Sequence, residues 1–330
     1  VHWHQVIFIL FFMQFIANRK KFYLISGIGF LISFLVFFFV PKNYGIDMTG
    51  GLQIEYSVSA PIESGKLDEV REDILKNYLF ESKPVVLDLL VYTVDTTSLR
   101  MDVGLMAESD VQKAQNRTED IRAALPKFFQ KHDITVTESS FISVGQSFGK
   151  FVIDRAYLTL TMCLIAIALY LMYAFRQSIE GTSSFTFGAI TLITLLHDII
   201  IAPGIFIILG LFFPELKVDT FFVTAILTTL GYSINDTIVI LDRIRASYKD
   251  KKSSDKRPMK KIFEDSIQVS LRRSLYTSMT LVMVLVSMLF FGPNALLGFT
   301  TLMLLGALIG TYSSICIAAP LLYDINKKNI

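Results

Sequence analysis

Six long apolar runs constrain the fold of this chain more than any other feature of its sequence. They are Phe22–Val40, Tyr157–Phe175, Ser184–Leu211, Phe221–Leu241, Leu275–Phe291 and Ala295–Tyr323. Each approaches or exceeds the roughly 17 residues with which an α-helix crosses about 30 Å of hydrocarbon. Only 18% of the residues are charged, below the roughly 25% of soluble domains. The sequence therefore predicts a polytopic α-helical membrane protein with six transmembrane helices.

A polar segment between the first two runs predicts an inserted domain. Alternating and β-branched stretches indicate strands, and apolar residues at helical spacing indicate two amphipathic helices. The predicted strands are Leu52–Val58, Pro84–Val94, Ser98–Leu105 and Ile134–Val144, and the predicted helices are Leu67–Leu79 and Ser109–Phe129. The order βαββαβ is that of a ferredoxin-like α+β domain, which identifies no function by itself. We place this domain at residues 41–150, between the first transmembrane helix at 22–40 and a five-helix bundle at 151–330.

The basic residues predict the orientation in the membrane, because short cytoplasmic loops are rich in Lys and Arg. These residues cluster in three places: Arg19–Lys21 before the first span, the segment 242–273, and Lys327 and Lys328 after the last span. These are called the three basic segments below. With six spans, all three segments lie on one side of the membrane. We therefore expect cytoplasmic termini, a basic cytoplasmic loop at 242–273 and an extracytoplasmic inserted domain.

The first residues are expected to lie outside the folded protein. Val6–Phe12 is apolar but too short to span a bilayer, and its basic residues follow the apolar stretch instead of preceding it as in a signal peptide. We expect the native chain to begin near Met13, with residues 1–12 as an upstream extension. His2 and His4 have no further ligand nearby, so we predict no metal site.

The sequence contains none of the common motifs of covalent catalysis. We find no nucleophile elbow, zinc-protease motif or phosphate-binding loop. The two cysteines, Cys163 and Cys316, stand in different apolar runs and at different expected depths, which excludes a disulfide framework. We expect neither enzymatic activity nor a cofactor.

Two adjacent ionisable residues lie deep in the third run. Burying such a group in hydrocarbon costs about 2.5–3.5 kcal/mol on insertion scales. We therefore expect each one to have a compensating partner or a functional role. His197 and Asp198 stand too far from either end of the run to reach water. Because adjacent helical residues point about 100° apart, we do not expect these two side chains to pair with each other. They either pack helices together through hydrogen bonds, or handle protons and couple helix movements.

A second acidic residue, Asp236, lies about 9 Å inside the cytoplasmic edge of the fourth run. Thr229, Ser233 and Asp236 recur at helical spacing and predict a polar stripe on one face. A carboxylate beside hydroxyls at that depth is suited to taking up and releasing a proton. The alternative is an acidic helix end that reaches toward the headgroups.

Arg273 opens the fifth run at a similar depth. A guanidinium group keeps its charge in proteins, so Arg273 could act as a counter-ion for Asp236. The alternative is an ordinary cytoplasmic flank.

Four stretches of this sequence resemble the SecF branch of the SecD/SecF family of bacterial protein-export membrane proteins. These stretches are Tyr44–Gly51, Ser143–Gly149, Leu196–Asp198 and Gly231–Arg245. The motif positions that match outside the charged residues are Gly45, Asp47, Gly50, Gly51, Gly145, Gly149 and Asn235. Met48 and Gln146 depart from the family pattern, which has Phe and Pro there.

The resemblance implies one six-helix half of a resistance-nodulation-division fold in the bacterial inner membrane, with SecD as the other half. It implies proton-driven assistance to preprotein translocation, with Asp236 and Arg273 as the coupling residues. From their depth in the third run, we count His197 and Asp198 as further candidates for this proton relay. Arg272 is the alternative to Arg273. The implied partners are SecD, the SecY-SecE-SecG channel, YajC, YidC, unfolded preprotein and membrane lipid, with no nucleic acid.

Two other functions are open from the sequence. The chain could be half of a transporter of the same superfamily that exports a small molecule or lipid, or a scaffold that only stabilises a partner. The sequence also leaves open whether protons or sodium ions are coupled.

Overall fold

The computed structural model describes residues 14–59, 61–62, 64–78, 86–93, 97–105, 111–175, 183–254 and 257–328. The expected chain start at Met13, the short apolar stretch Val6–Phe12 and the two N-terminal histidines lie outside these residues. The chain divides into two compact units. The helical unit comprises the described residues of Val1–Pro41, Leu158–Leu209 and Phe221–Ile330, and the sheet unit comprises those of Lys42–Tyr157 and Gly210–Thr220.

Helices account for most of the described chain. They are α1 (Phe15–Phe39), α2 (Ile46–Thr49), α3 (Ser64–Tyr78), α4 (Val111–Lys131), α5 (Gln146–Ala174), α6 (Ser184–Gly210), α7 (Thr220–Ser254), α8 (Met259–Phe291), α9 (Leu297–Ser313) and α10 (Ala319–Lys328). A short 3-10 turn at Asn294–Leu296 precedes α9, and a π-helical turn at Ser314–Ala318 joins α9 to α10.

Within the described residues, six helical segments are long and apolar enough to cross a membrane, which confirms the predicted number. They are Phe15–Phe39, Ser147–Ala174, Phe185–Gly210, Thr220–Tyr248, Met259–Phe291 and Asn294–Lys327. The segment 242–273, which we expect to connect the fourth and fifth spans, is largely helical, because α7 continues to Ser254 and α8 begins at Met259. Hydropathy marks where a helix leaves the hydrocarbon, whereas backbone hydrogen bonds decide where the helix ends.

Small residues bring the helices of the helical unit into close contact. A Cβ added to Gly204 of α6 would lie 2.8 Å from the Ser33 Cα of α1, and Ser33 is itself buried. In a membrane the apolar solvent offers no hydrophobic drive for helix association, so close packing of this kind takes its place. The start of α1 is held by α8, where the Glu264 carboxylate accepts hydrogen bonds from the backbone N–H groups of Phe15 and Ile16.

The sheet unit is built on a four-stranded antiparallel sheet. Its strands are β1 (Gly51–Val58), β2 (Val86–Thr93), β3 (Ser98–Leu105) and β4 (Val136–Val144), in the spatial order β2-β3-β1-β4. β1 pairs with β3 in a register that places Leu52 opposite Val103 and Ile54 opposite Met101. Two helices, α3 and α4, lie between strands in the sequence.

The core of the sheet unit follows from the periodicities of its elements. Alternate residues of β1 are buried, as are residues of α3 and α4 that recur every three or four positions. These buried residues are Leu52, Ile54 and Tyr56 in β1, Val70 and Ile74 in α3, and Ile121, Leu125 and Phe129 in α4. Apolar burial against one face of the sheet therefore holds both helices in place.

The segment Gly210–Thr220, between the third and fourth candidate spans, belongs to the sheet unit. Lys217 of this segment forms a salt bridge with Asp102 of β3, and both residues are 8% exposed. Gln53 donates a 2.7 Å hydrogen bond to the other Asp102 carboxylate oxygen, and the Lys217 ammonium lies 5.0 Å from the centre of the Tyr92 ring. Burial opposes the charge on Lys217, but the interactions with Asp102 and Tyr92 together outweigh it and raise the pKa of Lys217 above its ordinary value.

Gly204→Ala is expected to destabilise the helical unit, because the added methyl group must displace α1. Overpacking of this kind typically costs about 1–3 kcal/mol, which would lower the midpoint of thermal unfolding in detergent. Gly231→Ala is the matched control, since among the described residues no atom lies within 4 Å of a Cβ placed there. Equal midpoints for the two variants would contradict this packing.

Lys217→Met is expected to destabilise the sheet unit by about 3–5 kcal/mol, because it leaves the buried Asp102 carboxylate unpaired. Hydrogen exchange of β3 and of residues 210–220 would report the loss, and the double variant with Asp102→Leu should recover much of it. Since the pKa of Lys217 is raised in the folded state, the contribution of the pair is present at neutral pH. It is lost only as the pH rises through that raised pKa. Unchanged exchange in Lys217→Met would show that the pair stabilises nothing.

Candidate functional site

The deepest charged group of the helical unit is Asp198, near the middle of α6. Its carboxylate is fully buried and lies roughly 20 Å along the helix from either end. Ser233 of α7 and Ser313 of α9 both donate to Oδ2, at 2.5 and 2.8 Å. One carboxylate oxygen thus joins three helices.

His197 supplies the contact to the other oxygen of this carboxylate. The His197 Nδ1 atom lies 2.9 Å from Asp198 Oδ1, so our expectation that the two adjacent side chains do not pair was wrong. The 100° between neighbouring positions separates the Cα–Cβ bonds, but both side chains have two rotatable bonds with which to turn toward each other. The imidazole also stacks on the Tyr312 ring of α9, with 6.4 Å between ring centres.

Two glycines of α9 allow this cluster to form. A Cβ on Gly310 would lie 2.9 Å from the Ser233 Cβ, and a Cβ on Gly306 would collide with the Thr229 side chain. Only because both positions lack a side chain can α9 approach α7 closely enough for Ser313 and Ser233 to share Asp198. This role of the two glycines is not among the predictions from the sequence, although their four-residue spacing is the signal that indicates it.

Asp236 lies on the same face of α7 as Ser233, and the predicted polar stripe is present. Thr229, Ser233 and Asp236 are all buried. The Asp236 carboxylate accepts a hydrogen bond from Ser274 of α8, a partner that sequence analysis missed. Within the described part of the chain, no basic side chain forms an ion pair with Asp236.

Arg273 immediately precedes Ser274 on α8 and is exposed. The structure therefore brings Arg273 near the Asp236 site without placing its guanidinium in salt-bridge contact. Arg272, the alternative arginine, is also exposed.

Hydroxyl groups extend the polar cluster across the bundle. Tyr232 of α7 donates a 2.8 Å hydrogen bond to Ser278 of α8, and Ser278 lies 2.5 Å from the Thr311 hydroxyl of α9. Ser313 is the last residue of α9, directly before the π-helical turn. π-Helical turns inside helices occur frequently at functional sites, and this one was not predicted.

The first glycine-rich motif of the sheet unit holds the start of α7. Asp47 Oδ2 accepts a 2.6 Å hydrogen bond from the backbone N–H of Thr220, the first residue of α7, and a second bond from the Thr220 hydroxyl. A carboxylate at a helix N-terminus satisfies a free N–H group and interacts favourably with the helix dipole. Nearby, Val218 exchanges backbone hydrogen bonds with Asn43 and Gly45.

Close backbone contacts explain several of the motif glycines. Gly51 has a φ of 143°, and a Cβ there would collide with the Val103 carbonyl oxygen. A Cβ on Gly149 would collide with the Met48 carbonyl oxygen, and one on Gly45 with the Asp47 carboxylate. Gly50 also has a positive φ, whereas Gly145 has ordinary space around it. Asn235 is exposed on α7.

The chemistry available to this site is the exchange of protons or cations on carboxylates. Two buried carboxylates, Asp198 and Asp236, each accept hydrogen bonds from hydroxyl groups of neighbouring helices, and each charge in hydrocarbon is costly unless it is compensated. Within the described ranges, no group of three His, Cys, Asp or Glu side chains is placed to hold a metal ion.

Comparison with known proteins identifies the same family that the sequence motifs resemble. The family model described as "Protein export membrane protein SecD/SecF, C-terminal" matches residues 124–328. The protein translocase subunit SecF of Prochlorococcus marinus is 30% identical over 94% of this chain and 94% of its own length. The protein of the same name from Rhodothermus marinus is 30% identical over 95% of this chain and 93% of its own length.

The fold also matches a solved structure. The crystal structure of SecDF from Thermus thermophilus, described as a translocon-associated membrane protein, superposes with a TM-score of 0.74 at 25% identity. The match covers 96% of this chain but only 39% of that longer chain. From the family model and the full-length relatives we conclude that this chain belongs to the SecD/SecF family of protein-export membrane proteins.

Proposed function

We propose that this chain is the SecF-type subunit of a protein-export complex and that it uses an ion gradient across the cytoplasmic membrane to assist preprotein translocation. The observation that carries the proposal is the pair of buried carboxylates, Asp198 and Asp236, joined to neighbouring helices by hydroxyl groups. Such groups are rare within membrane spans and mark ion pathways and proton relays.

Asp236 is the proposed site of ion exchange. It lies nearer the helix end than Asp198 does, and its contact in the described structure is a neutral hydroxyl. Uptake of a proton would remove the cost of its charge in hydrocarbon. Release of that proton would favour an approach of Arg273, which stands next to Ser274 and keeps its charge. A bound proton and the Arg273 guanidinium would thus take turns in neutralising the Asp236 carboxylate.

Asp198 and His197 form the proposed inner part of the relay. The Asp198 carboxylate accepts from both Ser233 and Ser313, so a change in its charge would alter contacts among α6, α7 and α9. Ser233 stands one helical turn from Asp236 on the same face of α7. A change at either carboxylate would therefore act on the same helix.

The proposed output is a displacement of the sheet unit. The chain crosses between the two units at four places, because the segment Gly210–Thr220 belongs to the sheet unit. Two of these crossings lie at the end of α6 and the start of α7, the helices that carry Asp198 and Asp236. Asp47 and the Lys217–Asp102 pair hold that segment. A two-state rearrangement of α6 and α7 would therefore pull on the sheet unit through the chain itself.

A partner subunit is the proposed source of the missing half of the bundle. Of the most apolar 18 residues of the second candidate span, Ser147–Ala174, only 6% are buried within this chain, and the corresponding figure for Met259–Phe291 is 17%. Both the SecF relatives and the SecDF match support SecD as that partner. We extend the proposal to the SecY-SecE-SecG channel, YajC and YidC on family resemblance.

We also propose an orientation of the chain in the membrane and a fold for the sheet unit. The basic segments of the chain support cytoplasmic termini and an extracytoplasmic sheet unit. The element order and the strand order β2-β3-β1-β4 support a ferredoxin-like assignment for that unit. Because the relatives are named as translocase subunits, we assign the chain a transport role without covalent catalysis.

Asp236→Asn is expected to abolish gradient-driven stimulation of preprotein export in reconstituted vesicles, because the amide can neither bind nor release a proton. Membrane insertion and SecD binding should be unchanged. Asp265→Asn is the matched control, since Asp265 is a partly exposed carboxylate at the start of α8 that pairs with Arg257. Imposing proton and sodium gradients separately identifies the coupled ion. Normal gradient-driven export by Asp236→Asn would refute the proposed mechanism.

Asp47→Ala is expected to weaken the coupling between the start of α7 and the sheet unit. Loss of a capping side chain costs about 0.5–2 kcal/mol, so backbone amides at the start of α7 should exchange hydrogen several-fold faster, and gradient-driven export should fall. Asp68→Ala, at an exposed position of α3 in the same unit, serves as the control. Faster exchange with full export activity would exclude a coupling role for this contact.

A further inference from the structure

The sheet unit ends in a strand whose outer edge is accessible. β4 (Val136–Val144) stands last in the order β2-β3-β1-β4, and in the described part of the chain β1 is the only strand that pairs with it. The side chains of β4 are half-buried or exposed along its whole length. Alternate residues of an edge strand direct their N–H and C=O groups away from the sheet, where they can pair with a further strand.

A β-bulge divides this edge into two parts. Glu55 of β1 lies opposite Ser140 of β4. The next residue of β1, Tyr56, lies opposite Glu138. The extra residue is Ser139, whose hydroxyl donates a 2.9 Å hydrogen bond to the Glu55 carbonyl. Because a bulge bends a strand and interrupts its pairing, the regular part of the edge begins at Ser140 and continues to the end of β4.

This regular part, residues 140–144, lacks the features with which proteins usually block strand addition. Natural edges carry lysines, prolines or inward-pointing charges, whereas residues 140–144 are Ser-Phe-Ile-Ser-Val. Ile142, at the centre, is 48% exposed. At the opposite edge of the sheet, Arg71 of α3 donates a 2.7 Å hydrogen bond to the Leu89 carbonyl of β2, so a side chain already binds the backbone there. Residues 140–144 are therefore the part of the sheet best suited to accept a strand.

The size and polarity of this edge favour a transient occupant over a permanent partner. Stable protein interfaces take about 20–30 residues from each side, whereas these five residues extend over only about 17 Å. Permanent interfaces are also more hydrophobic than transient ones, and Ser140 and Ser143 contribute hydroxyl groups here. Strand addition takes its affinity from main-chain hydrogen bonds, so an extended chain of almost any sequence could bind.

We propose that residues 140–144 bind an extended segment of a translocating polypeptide as an additional antiparallel strand of the sheet. Antiparallel addition continues the pattern of the existing strands and is slightly more stable per residue than parallel addition. Recognition through the backbone suits the export of many different preproteins. This inference rests on the proposed export function, but binding at the edge requires no ion gradient.

The test measures binding of a short peptide to the full chain in detergent, in the assembly in which it purifies and without a gradient. The probe is a fluorescent decapeptide of alternating threonine and valine. It should bind, and it should slow hydrogen exchange at the backbone amides of residues 140–144. The same decapeptide with consecutive N-methyl groups along its centre should bind about tenfold more weakly, because it has lost the donors of several backbone hydrogen bonds.

Ile142→Lys should weaken binding of the unmethylated peptide several-fold, because a lysine at an edge opposes strand addition. Thr137→Lys is the matched control and should bind as the wild-type chain does. Thr137 is an exposed residue on the same face of β4, but it lies beyond the bulge. Unaltered thermal unfolding would show that both variants are folded. Asp236→Asn should also bind the peptide normally, which separates a failure of ion coupling from a failure of strand addition.

Four results would overturn the proposal. Three of them are equal affinity for the two peptides, unchanged exchange of residues 140–144 on peptide binding, and equal loss of affinity in Ile142→Lys and Thr137→Lys. The fourth is protection of residues 140–144 before any peptide is added, which would show that another subunit already pairs with this edge.

Discussion

The helical unit depends on how one buried carboxylate is compensated. Asp198 has no exposed surface, and its oxygens are held by Ser233, Ser313 and His197. In hydrocarbon an uncompensated charge is costly, so these contacts must either persist or change together with the charge. Gly306 and Gly310 exist at the interface for the same reason, since any side chain there would push α9 away from α7. The close packing of α9 against α7 and the compensation of the Asp198 carboxylate therefore depend on each other.

The chain itself connects the sheet unit to the helices that hold this carboxylate. A domain inserted between two spans would have two attachments, but the segment Gly210–Thr220 gives it four. The buried Lys217–Asp102 pair and the contact between Asp47 and Thr220 make this attachment firm. Breaking one partner of a buried pair costs far more than the pair contributes as a whole. These two contacts fix one arrangement of the segment more than they add stability. The proposed displacement of the sheet unit requires a segment with one defined arrangement.

Much of this architecture is predictable from the sequence, because it follows from local patterns. Apolar runs predict the spans, alternation predicts the strands, and helical spacing predicts the stripe of Thr229, Ser233 and Asp236. The rest depends on contacts between residues far apart in the chain. Ser274, Ser313 and Lys217 are ordinary residues in the sequence. Their roles appear only when Ser274 of α8 meets α7, Ser313 of α9 meets α6, and Lys217 meets β3 within its own unit. The contact between His197 and Asp198 was excluded by treating side chains as fixed directions, although their rotatable bonds close the gap.

We propose that a change of charge at Asp236 moves the segment that attaches α7 to the sheet unit. The most direct measurement is hydrogen–deuterium exchange of residues 211–219 in proteoliposomes, with and without an imposed ion gradient, for the wild-type chain and for Asp236→Asn. The gradient should alter the exchange of this segment in the wild-type chain and should have no effect on it in the variant. Exchange that is insensitive to the gradient in the wild-type chain, or equally sensitive in both, would contradict it.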